Sequence, residues 1–85
     1  VNDNIPIWED TRAVEAHYAN CFKIGQNAFE FIIDCGQMTG EETGVKLTAR
    51  ILTNPRSAKN LYQTLQQALE EYERSFGMIS CGREE

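Results

Sequence analysis

The periods of the hydrophobic residues predict an α+β fold: a three-stranded antiparallel sheet in β-β-β-α order, with one long C-terminal helix packed on its apolar face. Three observations predict it. Residues 14–51 contain three stretches in which apolar side chains recur at every second position. Residues 55–76 change to spacings of three and four. The change falls at Asn54-Pro55, a helix cap followed by a residue suited to the first helical position, where a missing N–H costs nothing.

The first strand is predicted over residues 14–24, with Tyr18, Phe22 and Ile24 on one parity and His17, Cys21 and Lys23 on the other. Turn-forming residues follow at Gly25, Gln26, Asn27 and Ala28, and a second strand over 28–35 sets Phe29, Phe31, Ile33 and Cys35 against Glu30, Ile32 and Asp34. A glycine-rich loop over 36–44 leads to a third strand, in which Val45, Leu47, Ala49 and Ile51 alternate with Lys46, Thr48 and Arg50. Opposed residues share a face, so Gly25 is predicted opposite Ala28, which places Ile24 on Phe29, Phe22 on Phe31, Tyr18 on Cys35 and Lys23 on Glu30. Setting Cys35 opposite Val45 likewise pairs Phe31 with Ala49, Ile33 with Leu47, Asp34 with Lys46 and Glu30 with Arg50.

The helix is predicted over 55–76, with Ala58, Leu61, Tyr62, Leu65, Ala68, Leu69, Tyr72 and Phe76 on one stripe and Gly77 at its end. At ~1.5 Å per residue it is roughly 33 Å long, whereas three strands at ~4.8 Å spacing span only ~10–15 Å. Tyr72 and Phe76 near its far end are therefore predicted to lack cover within one chain. Residues 1–13 form an arm around the apolar residues Ile5, Ile7 and Trp8, residues 14–79 a single α+β domain, and residues 80–85 a loosely held tail.

The composition bounds the function. The 85 residues carry 8 Lys+Arg against 13 Asp+Glu, a net charge of −5, which disfavours a phosphate-binding surface and hence nucleic acid. A chain of this size buries only about 60% of its unfolded surface, so a partner subunit is expected. No apolar run approaches the ~18–20 residues needed to span a bilayer, and Val1 to Asp10 lack a basic and then apolar leader pattern. With three unpaired-looking cysteines, Cys21, Cys35 and Cys81, the expectation is a cytoplasmic protein with reduced thiols.

No catalytic, cofactor-binding or metal-binding constellation emerges. His17 and Cys21 share a strand face but lie ~13 Å apart, too far for one ion. Glu70, Glu71 and Glu73 point in different directions around a helix and read as a solvated face. The loop over 36–44 has no lysine after its glycines, holds Glu41 and Glu42, and precedes a strand, so it is not a phosphate cradle.

Several pieces of the chain together resemble a known family. Tyr18-Ala19-Asn20, Phe29-Glu30 through Ile33-Asp34-Cys35-Gly36, Arg50-Ile51, Ala58-Lys59 with Leu61, Leu65-Gln66, and Glu71 through Phe76-Gly77 are similar to the small prokaryotic proteins grouped as domain of unknown function 3467. The sequence departs from that pattern at Cys35, where the family usually has an aromatic residue, and in its long acidic arm. The resemblance implies a small cytosolic prokaryotic protein, with no activity and no site residues to carry over. On the residues themselves, Gly36 reads as the strand exit, Arg50 as the partner of Glu30, and Ala58 as the small residue that lets the helix approach the sheet.

The expected function is a non-enzymatic, self-associating interaction module or accessory subunit of a larger assembly, a dimer being favoured. Tyr62, Leu69, Tyr72 and Phe76 are the candidate self-association residues, and Ile5, Ile7 and Trp8 the candidate docking arm. The alternative is a chaperone-like or peptide-binding protein using a sheet edge or apolar groove.

Overall fold

A computed structural model describes residues 6–9, 12–40 and 44–80 of the chain. Three strands, β1 (Cys21–Gln26), β2 (Phe31–Gln37) and β3 (Lys46–Thr53), form an antiparallel sheet in the order β1-β2-β3, followed by the helix α1 (Pro55–Phe76). Class and element order are those read from the periods, and the helix has the predicted ends. Asn54, extended at φ −98° and ψ 165°, accepts from the Ser57 N–H at 2.7 Å through Oδ1, with Pro55 in the first turn. At the other end Gly77 adopts φ 105°, and its N–H donates to Glu73 O at 2.9 Å. A side chain would strain that backbone, so glycine stops the helix.

The first hairpin is longer in its turn than predicted. Asn27 Oδ1 accepts from the backbone N–H groups of Phe29 at 2.8 Å and Glu30 at 2.9 Å, while the Asn27 N–H donates to Glu30 O at 3.0 Å. Phe29 and Glu30 thus belong to the turn. The observed pairs are Lys23 with Asp34, Ile24 with Ile33 and Gln26 with Phe31. This corrects the predicted pairing of Lys23 with Glu30 and of Phe22 with Phe31 by four positions. The first strand is also shorter than predicted, because residues 14–20 lie outside the ladder. Asn20 borders it: its N–H donates to Gly36 O at 2.9 Å, and its side-chain amide exchanges two hydrogen bonds with Met38, at 3.0 and 2.9 Å, as a peptide group would.

The second hairpin moves correspondingly, with Ile33 opposite Ile51, Asp34 opposite Arg50 and Cys35 opposite Ala49. Asp34 therefore meets Arg50 instead of Lys46, and Glu30, drawn into the turn, is no partner for Arg50. Because both shifts are even, the faces of β1 and β2 and of β3 from Ala49 onward stay as predicted. A β-bulge then intervenes: Ala49 faces Cys35 but Leu47 faces Gly36, which leaves Thr48 as the extra residue. Its hydroxyl donates to Cys35 O at 3.0 Å. The bulge changes the parity of the strand, so Leu47 and Val45 lie on the face of Asp34 and Gly36, not on the apolar face predicted for them.

Gly36 is therefore no strand exit. It is buried within β2, and a Cβ placed there would collide with Val45 Cγ1 and come within 3.2 Å of Lys46 O. Ile33, 9% exposed, is the buried hydrophobic residue of the sheet, and no residue of α1 is buried. The helix engages the apolar face only by its first turns, where Pro55, Ala58 and Tyr62 border a hollow with Phe31. Ala58 stands at that approach, as the sequence indicates.

Gly36→Ala is expected to lower the unfolding free energy by about 1–3 kcal/mol through overpacking. Adding Val45→Ala should recover part of the loss. Urea denaturation of the two single variants and the double variant measures both effects, and a Gly36→Ala protein as stable as its parent would contradict the close approach.

Candidate functional site

The sheet presents two faces of different character. On one, Phe22, Ile24, Phe31, Ile33, Cys35, Ala49 and Ile51 follow from the observed register. In a closed α+β domain such a face is covered by a helix. Here Phe22 and Ile24 on β1 are 63% and 57% exposed and Ile51 on β3 is exposed, while Phe31, Cys35 and Ala49 are half-buried and Ile33 at the centre is buried.

The helix carries the complementary surface. Leu61, Tyr62, Leu65, Leu69, Tyr72 and Phe76 are all exposed, Phe76 by 76%. Their spacing puts them on one stripe. Tyr72 and Phe76 pack on one another, with ring centroids 5.0 Å apart and planes inclined by 46°. The four residues singled out in the sequence, Tyr62, Leu69, Tyr72 and Phe76, thus lie together on an open surface. Of the arm, Ile7 and Trp8 are exposed, while Ile5 lies outside the described residues. Sequence reasoning passed over Phe22, Ile24 and Ile51 as site residues because their face was expected to be covered by the chain's own helix.

The opposite face is organised around Asp34. Arg50 grips its carboxylate at two points, Nε to Oδ1 at 2.7 Å and Nη2 to Oδ2 at 3.1 Å. Lys23 lies directly opposite Asp34 in the register. The hydrogen bond from Arg50 is the main reason that the Asp34 carboxyl titrates below its ordinary value, burial opposing it and the charges of Arg50 and Lys23 assisting. The same bond raises the Arg50 guanidinium. Beside this group, Cys21, Gly36, Val45 and Leu47 line an open concavity of about 560 Å³. The bulge forms its apolar wall by turning Val45 and Leu47 to this side.

The remaining chemistry-bearing groups are separate. Cys21 and Cys35 are free thiols on opposite faces of the sheet; Cys81 lies outside the described residues. His17 Nε2 is 3.5 Å from Glu15 Oε1, ahead of β1. Glu73 helps to end the helix, its Oε2 accepting from the Ile79 N–H at 3.0 Å. Among the described residues no group of three or more His, Cys, Asp or Glu could hold a metal ion, and no helix is long and apolar enough to cross a membrane.

An open α+β domain that exposes, among the described residues, an apolar sheet edge and an apolar helix stripe is the class of protein that fold and surface define. Residues 2–81 match the family described as protein of unknown function (DUF3467), and the chain belongs to that family. Comparison with curated proteins and with solved structures gives no match.

The Asp34–Arg50 pair makes stability pH-dependent with a definite sign. A carboxyl whose pKa is lower in the folded state binds its proton less readily there than in the unfolded chain, so the pair stabilises the fold above the ordinary carboxylate value and loses that effect as pH falls through the lowered one. Asp34→Asn is expected to lower the urea midpoint at neutral pH and to flatten its fall below about pH 4. Urea titrations of both proteins across that range measure it, and parallel curves would contradict the assignment.

Proposed function

We propose that the protein is a non-enzymatic, self-associating interaction module that serves as an accessory subunit of a larger assembly. One observation carries the reading: the chain forms both halves of an apolar interior, a sheet face and a helix stripe, and closes neither. Its radius of gyration is 15.7 Å, against about 12 Å for a compact domain of this length. Its accessible surface is 8343 Å², about 3,200 Å² more than the roughly 5,100 Å² of a compact protein of 9.7 kDa. Part of the excess belongs to residues 12–20, almost all of them exposed ahead of β1. Obligate homodimers bury roughly 1,000–2,500 Å² per subunit, which the excess accommodates.

The apolar composition of these surfaces favours association over catalysis. A reducing, cytoplasmic setting is supported by the free thiols of Cys21 and Cys35. A peptide holder acting through the same face has less to support it, since a helix of matching character is already present in every copy.

Light scattering on the full chain at micromolar concentration is expected to give a dimer or larger assembly. Leu69→Glu combined with Tyr72→Glu keeps good or acceptable helix formers on α1 but charges its stripe, and should shift the mass toward the monomer with little change in strand signal. A well-folded monomeric parent would refute the proposal.

A further inference from the structure

The uncovered surfaces come as a matched pair: each chain has a sheet face without a helix over it and a helix without a sheet beneath it. The 22 residues of α1 extend ~33 Å at ~1.5 Å each, and only the first turns border Phe31. Leu65, Leu69, Tyr72 and Phe76 lie further along and are all exposed. The backbone at the start of the helix is relaxed, with Asn54 in an ordinary extended conformation and Pro55 at the first helical position.

We infer that two copies of this chain associate by exchanging helices, the later turns of α1 from each lying on the apolar sheet face of the other. The inference rests on the self-associating reading above and names its occupant, a second copy. Four features converge on it. The surfaces are complementary in kind, side chains of a helix stripe against those of a sheet face. A two-fold exchange satisfies both deficits in both copies at once and leaves neither of these two surfaces free to recruit a third, which distinguishes a closed dimer from an open chain of copies. The surplus area is on the scale that an obligate dimer buries. Charge is also compatible: among the strand residues of the apolar face the charged one is Lys46, at the edge of the face, and Leu65, Leu69, Tyr72 and Phe76 of the stripe carry no charge.

The contacts expected across the interface are specific. Leu65, Leu69, Tyr72 and Phe76 of one copy meet Phe22, Ile24 and Ile51 of the other. The thiol of Cys35, half-buried on the same face, becomes shielded in the dimer. Cys21 on the opposite face remains open, beside the concavity formed with Val45 and Leu47.

Isotope-filtered nuclear Overhauser spectroscopy tests the exchange. Labelled and unlabelled full-length chains are mixed in denaturant and refolded together, and light scattering on the same sample gives the mass. A dimer with inter-chain signals between the helix residues and Phe22, Ile24 and Ile51 is the expected result. A dimer whose helix-to-sheet signals arise only within a chain, or whose inter-chain signals join helix to helix alone, overturns the exchange and leaves self-association standing. A monomer overturns both.

Discussion

Two hydrogen bonds to the side chain of Asn27 decide where everything else in the sheet falls. By accepting from the N–H groups of Phe29 and Glu30, the amide holds both residues in the turn. An aromatic residue and a carboxylate that would extend the strand are thereby removed from it. β2 begins at Phe31, and every pair across the first hairpin follows from that start. An exposed asparagine that stabilises a turn by about 1 kcal/mol per hydrogen bond thus chooses among registers whose hydrophobic faces are indistinguishable.

With Glu30 outside the sheet, Asp34 is the carboxylate left on its polar face, and two cations converge on it. Arg50 takes the two-point geometry that a planar guanidinium allows, and Lys23 stands opposite as a point charge. The Arg50–Asp34 pair binds β3 to the central strand on one face, with Lys23 of β1 opposite the same carboxylate, and Ile33 with its neighbours Ile24 and Ile51 joins the strands on the other. Immediately beyond, the bulge at Thr48 turns Val45 and Leu47 over. Only the absence of a side chain at Gly36 gives Val45 room to lie there. The polar face consequently acquires an apolar corner that a regular strand would not have produced.

The sheet is well specified, but its one buried hydrophobic residue cannot make an interior. Folding removes surface from water only where a second layer covers the first, and the helix provides that layer for little more than its first turns. What remains is an amphipathic helix and a half-apolar sheet, each with the composition of a domain core and the exposure of a surface. On the self-associating proposal above, the surface that leaves one copy incomplete is the one that a second copy would cover, which would make stability and association one property of this fold.

The sequence by itself determined the class, the order of elements, both ends of the helix and the division of most of the sheet into faces. These depend on local chemistry and on periods of two and 3.6, which survive any even slip of register. It also placed Tyr72 and Phe76 beyond the reach of a three-stranded sheet, from lengths alone. The tertiary structure decided the pairing. Lys23 and Arg50 share Asp34 because of a side-chain bond in the turn and the geometry of a guanidinium, neither of which alternation encodes. It decided, too, that Gly36 lies inside a strand and that Val45 and Leu47 change sides, since a bulge adds one residue where a pattern counts in twos. Membership of the family was legible in scattered short motifs. The open sheet face was not, because an apolar face looks the same in sequence whether its covering helix comes from its own chain or from another.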